Sequence, residues 1–203
     1  MKIMRRWKSW LGQDPHPASH GEKLLSALGA FLGILGVLAI SQGILDHQGT
    51  ALVVTSMGAS AVLLFAAPHS PLSQPWPVLG GHVLSSAIGI TCALFMDDLL
   101  TAAALAVALS IAAMYYTRCL HPPGGAAALA VVMGGETVHT LGYAYLVTPL
   151  LLNVLILSIP MTLLYGSIYV LASAWREHKQ LGQINPRLAR IIQNMETIVG
   201  GYM

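Results

Sequence analysis

The run Tyr115-Tyr116-Thr117-Arg118-Cys119-Leu120-His121-Pro122-Pro123-Gly124-Gly125-Ala126 concentrates the residues best suited to chemistry. Pro122 biases His121 toward extended backbone, and Pro123 suits a first helical turn, where a missing amide hydrogen costs nothing. The pattern predicts a helix ending near Cys119, a sharp turn, and a new helix opening at the prolines. Amides of Gly124, Gly125 and Ala126 would then point into the turn, where a helix start carries roughly half a positive charge. Glycine there admits a ligand close to the backbone. Together with Arg118 and a protonated His121, this is the chemistry of an anion site. The competing reading makes Arg118 an interfacial anchor and His121 a turn residue bonded to a carbonyl.

A second, weaker cluster is Thr55-Ser56-Met57-Gly58-Ala59-Ser60, where hydroxyls and small residues share one apolar stretch. It could present donors to an anion, or let two helices approach closely. His82 and Asn153 are polar groups inside apolar runs and need partners in a dry environment. Either lines a pathway or ties two helices. In Pro68-His69-Ser70-Pro71-Leu72-Ser73-Gln74-Pro75-Trp76-Pro77 the prolines demand a rigid turn, in which His69, Ser73 and Gln74 satisfy backbone groups or border an entrance.

The elements that must hold these residues are membrane helices. Of 203 residues, 55% are hydrophobic and 9% charged, against about a quarter charged in soluble domains. From Leu24 to Ser173 the formal charges are Asp46, Asp97, Asp98, Arg118 and Glu136, and the other thirteen sit in the two tails. Uninterrupted apolar stretches run Leu24–Ser41, Ala51–Ala67, Val78–Met96, Leu99–Thr117, Gly124–Gly134 and Ala144–Ser173. Crossing a bilayer takes roughly 20 helical residues, so the second and fifth look short or broken. Six passes would place every Lys and Arg on one face, Arg118 included, and the basic face is the cytoplasmic one. Both tails are then expected in the cytoplasm.

Sliding the chain by 66 positions brings Gly58-Ala59-Ser60-Ala61-Val62-Leu63 onto Gly124-Gly125-Ala126-Ala127-Ala128-Leu129. Read as a repeat, this makes two units of three passes in opposite orientation, a plan in which short interrupted helices mark the binding site. Chance similarity between small-residue helices is an equally open reading. Residues 1–23 form a cytoplasmic amphipathic segment, with Ile3, Trp7, Trp10 and Leu11 on one face. Residues 24–173 form the membrane domain. Residues 174–203 form a cytoplasmic tail, where Pro186 opens a helix with an apolar stripe of Leu188, Ile191, Ile192, Met195 and Val199. That stripe suits a homo-oligomer contact or ordinary packing.

Other classes find no support. A net charge of +2 spread over the tails is no nucleic-acid footprint. Cys92 and Cys119 lack metal or disulfide spacing and read as packing residues. His16, His20, His47, His139 and His178 show no ligand spacing, so no metal or cofactor is expected. No nucleophile stands beside a base, and no glycine loop follows a strand, so no enzyme is expected.

Four blocks carry a family resemblance: Gly58-Ala59-Ser60-Ala61-Val62-Leu63-Leu64-Phe65 with Ser70-Pro71-Leu72-Ser73-Gln74-Pro75, then Gly81-His82, then Thr117-Arg118, then His121-Pro122-Pro123 followed by Gly125-Ala126. In this order they resemble the HPP family of integral membrane proteins, over roughly Leu24 to Ser173. Members are commonly described with four spans, against six here, and usually carry alanine where this chain has Gly124. The family has been linked to nitrite transport in plastids and cyanobacteria, so the resemblance implies a similar role.

The expectation is therefore an all-α polytopic protein of about six passes, built as two three-pass inverted repeats with two short or broken helices. It would sit in a bacterial inner membrane and act as transporter or channel for a small inorganic anion, with nitrite the first candidate. The solute would be bound near the midplane by Thr55, Ser56, Gly58, Ala59, Ser60, His82, Arg118, His121, Pro122, Pro123, Gly124, Gly125 and Ala126. The absence of a nucleotide loop or buried carboxylate favours passive or potential-sensitive passage over pumping. The alternative is a noncatalytic scaffold or regulatory subunit that recruits a partner through its tail.

Overall fold

The computed structural model describes residues 18–161. The amphipathic segment expected at the amino terminus and the helix expected from Pro186 lie outside these residues. The chain is all helix and turn over this range. Helix α1 spans His20–Gln42, α2 His47–Ala66, α3 Pro75–Phe95, α4 Leu99–Tyr116, α5 Pro122–Val132 and α6 Gly135–Leu141. Beyond α6 the chain continues through a 3-10 turn at Gly142–Leu146 and a wide turn at Val147–Leu151 into helix over 152–161.

Local chemistry sets these boundaries. Ser19 and Glu22 close a capping box at the start of α1, each side chain serving the other's backbone amide. Asp46 caps α2 by accepting from the Gly49 amide at 2.8 Å, and Asp98 caps α4 by accepting from the Thr101 amide at 2.8 Å. Helices α3 and α5 both open on proline.

The second apolar stretch is not short. Because Asp46 starts α2 four residues before the apolar run, the helix reaches 20 residues without interruption. Only the fifth stretch is abbreviated: α5 has 11 residues and ends at the Gly134-Gly135 break. Gly135 takes φ +77°, a left-handed conformation that favours glycine. From Gly135 to Met161 the chain is apolar but not one continuous helix: it turns at Gly142, with φ +51°, and leaves helical geometry again at Thr148 before helix resumes over 152–161.

Among the described residues, five helical segments are long and apolar enough to cross a bilayer, and α5 is a shorter apolar one. This is a polytopic membrane architecture. Leu24 is 62% exposed, Phe31 60% and Leu32 65%, a surface that suits lipid and would be a liability in water. Helix α3 packs against α4 and α5, and α5 in turn packs against α2 and α4, while α1 packs on α2. Val53, Met57, Leu64, Val78, Ile90, Tyr145 and Leu150 form the main apolar core. Cys92 and Cys119 are both buried free thiols.

Candidate functional site

The site begins with an unusually close contact between two backbones. Gly81, Ser85 and Gly89 recur every four residues along α3, which places them on one stripe. A Cβ on Gly81 would stand 2.6 Å from the Cβ of His121, one on Gly89 2.7 Å from the Ala128 carbonyl, and one on Gly124 2.7 Å from the Gly81 carbonyl. Helix α5 therefore rests on α3 with no side chain between them, the geometry that small residues permit in membrane helices.

That contact brings two histidines together. His121 is the N-cap of α5 with φ −137° and ψ 105°, the extended conformation its following proline requires. Its side chain makes no capping bond and leaves its own helix. The rings of His82 and His121 meet edge to face with centroids 4.9 Å apart. Both residues are fully buried.

Helix α2 supplies the link. Ser60 Oγ lies 2.8 Å from His82 Nε2 and 3.0 Å from His121 Nε2. One turn earlier, Ser56 Oγ donates to the Pro123 carbonyl at 3.0 Å. His121 Nδ1 donates to the Leu72 carbonyl at 2.8 Å, in the 3-10 turn Pro71–Ser73. Three helices and one turn thus share a single polar cluster. Each such bond contributes about 1 kcal/mol net, and a buried group left unpaired costs about 1–3 kcal/mol.

The cluster is not closed. His82 Nδ1 is buried without a hydrogen-bond partner, as are the hydroxyls of Ser85 and Ser86, which follow His82 at the three- and four-residue spacing of one helix face. Ser110 Oγ on α4 is another buried hydroxyl without a partner. No Asp, Glu, Lys or Arg among the described residues is buried, so the interior carries no formal side-chain charge.

A cavity of about 400 Å³ adjoins the cluster, lined by Leu64, Ser73, Gln74, Val78, Val154 and Met161 among others. Leu64 follows Ser60 by one turn, and Val78 precedes His82 by one turn. Both are 2% exposed, so a single apolar layer separates cavity from cluster. In the proline-rich turn, Ser73 Oγ bonds the Leu63 and Ala67 carbonyls and Gln74 Nε2 bonds those of Pro68 and Ser70, so these residues both satisfy backbone and border the cavity.

The residues expected at the site divide into two groups. Ser56, Ser60, His82, His121, Pro123 and Gly124 come together, all of them buried. Thr55 and Ala59 are exposed, and the Thr55 hydroxyl bonds the Ala51 carbonyl of its own helix. Gly58 faces open space, and Gly125 and Ala126 are only partly buried. Pro122 is exposed, and so is Arg118, which takes φ +56° in the turn between α4 and α5. Trp76 Nε1 donates to the Thr117 carbonyl at 3.1 Å, which fixes that turn at the same end of the bundle as the start of α3 and the cavity.

The start of α5 differs from expectation in its backbone. Its first two residues are prolines without amide hydrogens, and the third, Gly124, donates to the His121 carbonyl at 2.8 Å. The opening turn therefore offers no free amide at these three positions. Asn153 is structural, donating to Ser41 Oγ at 2.9 Å. The residues that sequence reasoning missed are Leu72, Ser85, Ser86 and Ser110. The four-residue spacing of Gly81, Ser85 and Gly89 was the available signal for the first contact, whereas nothing local marks a carbonyl such as Leu72.

Comparison with known proteins agrees with this architecture. The family model for the HPP transmembrane region matches residues 15–173. A transmembrane protein of Dictyostelium discoideum is 38% identical over 153 residues, covering 72% of this chain and 49% of its own length. A second transmembrane protein of that organism is 40% identical over 166 residues, covering 77% of this chain and 58% of its own. The chain thus spans about half the length of these curated relatives. No solved structure matches. With the family model covering most of its length, and relatives of this identity beside it, the chain belongs to the HPP family of transmembrane proteins.

Proposed function

We propose that this protein is a transporter or channel for a small inorganic anion, with nitrite the first candidate, and that the solute passes the Ser60, His82 and His121 cluster. The observation that carries the reading is a fully buried polar cluster one apolar layer from a cavity of about 400 Å³. Packing alone would favour apolar side chains there, since unpaired polar atoms in a dry interior are costly. Nitrite is small enough for a path between glycine-lined helices, and the family resemblance points to it.

The assigned roles follow the geometry. Arg118, exposed at the cavity end, raises the local concentration of anions. Leu64 and Val78 form the apolar layer that must part. Ser85 and Ser86 offer hydroxyls in place of water, and the histidines order the site. The reading assigns no catalysed reaction. It places the cavity end on the cytoplasmic side of a bacterial inner membrane, where the positive-inside rule puts Arg118.

Purified protein in liposomes tests this. Nitrite flux above that of protein-free vesicles is expected, with strong loss in Ser60→Ala and His121→Gln. Flux left intact in both variants removes the cluster from the path, and absence of flux in the wild type refutes the transport reading.

A further inference from the structure

Hydrogen placement in the cluster follows from one carbonyl. Leu72 O can only accept, so His121 Nδ1 carries hydrogen. A neutral His121 then presents a lone pair at Nε2, 3.0 Å from Ser60 Oγ, which takes the Ser60 hydroxyl hydrogen in preference to the more distant Ser56 carbonyl at 3.3 Å. With that hydrogen committed, Ser60 Oγ accepts from His82 Nε2. Reversing the direction would require His121 to hold both ring hydrogens, a buried cation among residues that carry no formal charge. The neutral cluster therefore leaves His82 Nδ1 as a bare lone pair, buried and without a partner.

A lone pair repels a bare anion and welcomes an acidic hydrogen. We propose that the site takes up a small weak-acid anion together with one proton, so that the solute crosses as its conjugate acid and no net charge moves. This inference rests on the transport reading above and adds the protonation state of the cargo.

The proton step balances within the cluster. The O–H bond of the acid breaks, its electron pair stays on the anion, and the His82 Nδ1 lone pair forms the new N–H bond. His82 Nε2 hands its hydrogen to Ser60 Oγ while Ser60 hands its own to His121 Nε2. Positive charge then rests on His121, where the Leu72 carbonyl faces it, and the anion is held by the new N–H of His82 and the hydroxyls of Ser85 and Ser86. Reversal restores the neutral acid on departure. Among the described residues no Lys or Arg is buried beside the cluster to neutralise the anion, so the proton does.

The surroundings leave these rings as the groups that change charge. Helix α2 reaches His82 through Ser60, while the elements packed against α3 bring Met114 and Ser110 from α4, and Cys119 and His121 from the turn into α5. From the last span they bring Tyr145 and Tyr143, the latter bonded to Thr91 Oγ1 at 2.9 Å. Leu72 and Ser73 complete the 3-10 turn, His69 lines the cavity beside the first turn of α3, and no carboxylate, lysine or arginine is among these described neighbours. Asp46 is at the far end of α2, fourteen residues from Ser60 and roughly 20 Å along the helix. Glu136 and His139, both exposed, belong to α6 beyond the C-terminal end of α5.

The test uses the full chain in liposomes containing a trapped pH dye, with nitrite and then formate as probes, and membrane potential set by potassium and valinomycin. Protein-free vesicles give the background leak of each acid. The expected result is uptake driven by an inward proton gradient, indifferent to potential, with one proton entering per anion. His82→Gln keeps size and polarity but cannot titrate, and should lose roughly a hundredfold of that uptake, within the range for removing a positioned proton-transfer group. Uptake driven by inside-positive potential without acidification overturns the inference while leaving the transport reading intact. Proton-coupled uptake unchanged in His82→Gln also overturns it. Neither probe crossing in the wild type overturns both. The wild-type stoichiometry needs no variant to fold.

Discussion

Ser60 Oγ stands between two imidazole nitrogens, 2.8 Å from His82 Nε2 and 3.0 Å from His121 Nε2, and so joins three segments of chain through one hydroxyl. Removing it leaves two buried ring nitrogens unpaired. Ser60→Ala is expected to cost about 1–3 kcal/mol for each orphaned group that water does not reach. Thermal unfolding in detergent checks this. A double-mutant cycle with His121→Gln should be clearly non-additive, because both changes break the same contact.

Two glycines separate packing from propensity. Gly124→Ala drives a methyl to within 2.7 Å of the Gly81 carbonyl and 2.9 Å of Ser85 Oγ, so α5 must lift from α3. A loss of about 1–3 kcal/mol is expected, as for other overpacked interiors. Gly58→Ala meets nothing within 4 Å and should stabilise by about 0.5–1 kcal/mol through its better helix propensity. Unfolding temperatures of the two variants should move in opposite directions.

At the other end of the bundle, the Gly49 amide and then the Thr137 hydroxyl hold the Asp46 carboxyl below its usual value of 3.8. The Thr137 contact, 2.8 Å long, ties α2 to α6. A depressed folded-state value means stability present above the unfolded value and lost as pH falls through the folded one. The structure should therefore loosen at α2 and α6 only in acid, below about pH 4. Asp46→Asn keeps a capping side chain but cannot titrate, so this part of the acid dependence should vanish. Hydrogen exchange of the first turn of α2 against pH reads the difference.

Asn153 Nδ2 donates to Ser41 Oγ at 2.9 Å, the polar tie between the last span and α1. Ser41→Ala alone should destabilise by about 1–2 kcal/mol, because it strands a buried amide. Adding Asn153→Leu removes the stranded group and should recover part of the loss. Failure of the double variant to exceed the single one would show that Asn153 is held by something other than Ser41.

Arg118 is a non-glycine residue at φ +56°, so Arg118→Gly should fold at least as well as the wild type, gaining up to about 1 kcal/mol from relieved strain. That makes it a cleaner probe of charge than alanine. If Arg118 gathers anions at the cavity mouth, the variant raises the concentration for half-maximal nitrite flux and leaves maximal flux unchanged, and high salt abolishes the difference.

The membrane class, the beginning of α5 and half of the site were legible in the residues. Sparse charge between Leu24 and Ser173 dictates a lipid environment, and the breaking of α5 from α4 follows from the His121-Pro122-Pro123 dihedral restrictions. Ser56, Ser60, His82 and His121 stand out as polar residues in apolar runs. Hydropathy alone makes α2 look short because it ignores the Asp46 cap, which starts the helix at His47. Of the amides expected to be free at α5, that of Gly124 is taken by the His121 carbonyl. What only the tertiary structure decided is which polar groups meet. Contacts such as Ser60 to His121 or His121 to Leu72 arise from helices laid side by side, and their spacing along the chain carries no trace of the distance in space. The glycine stripe of α3 sets how closely α5 approaches, and that approach determines that two histidines share one hydroxyl.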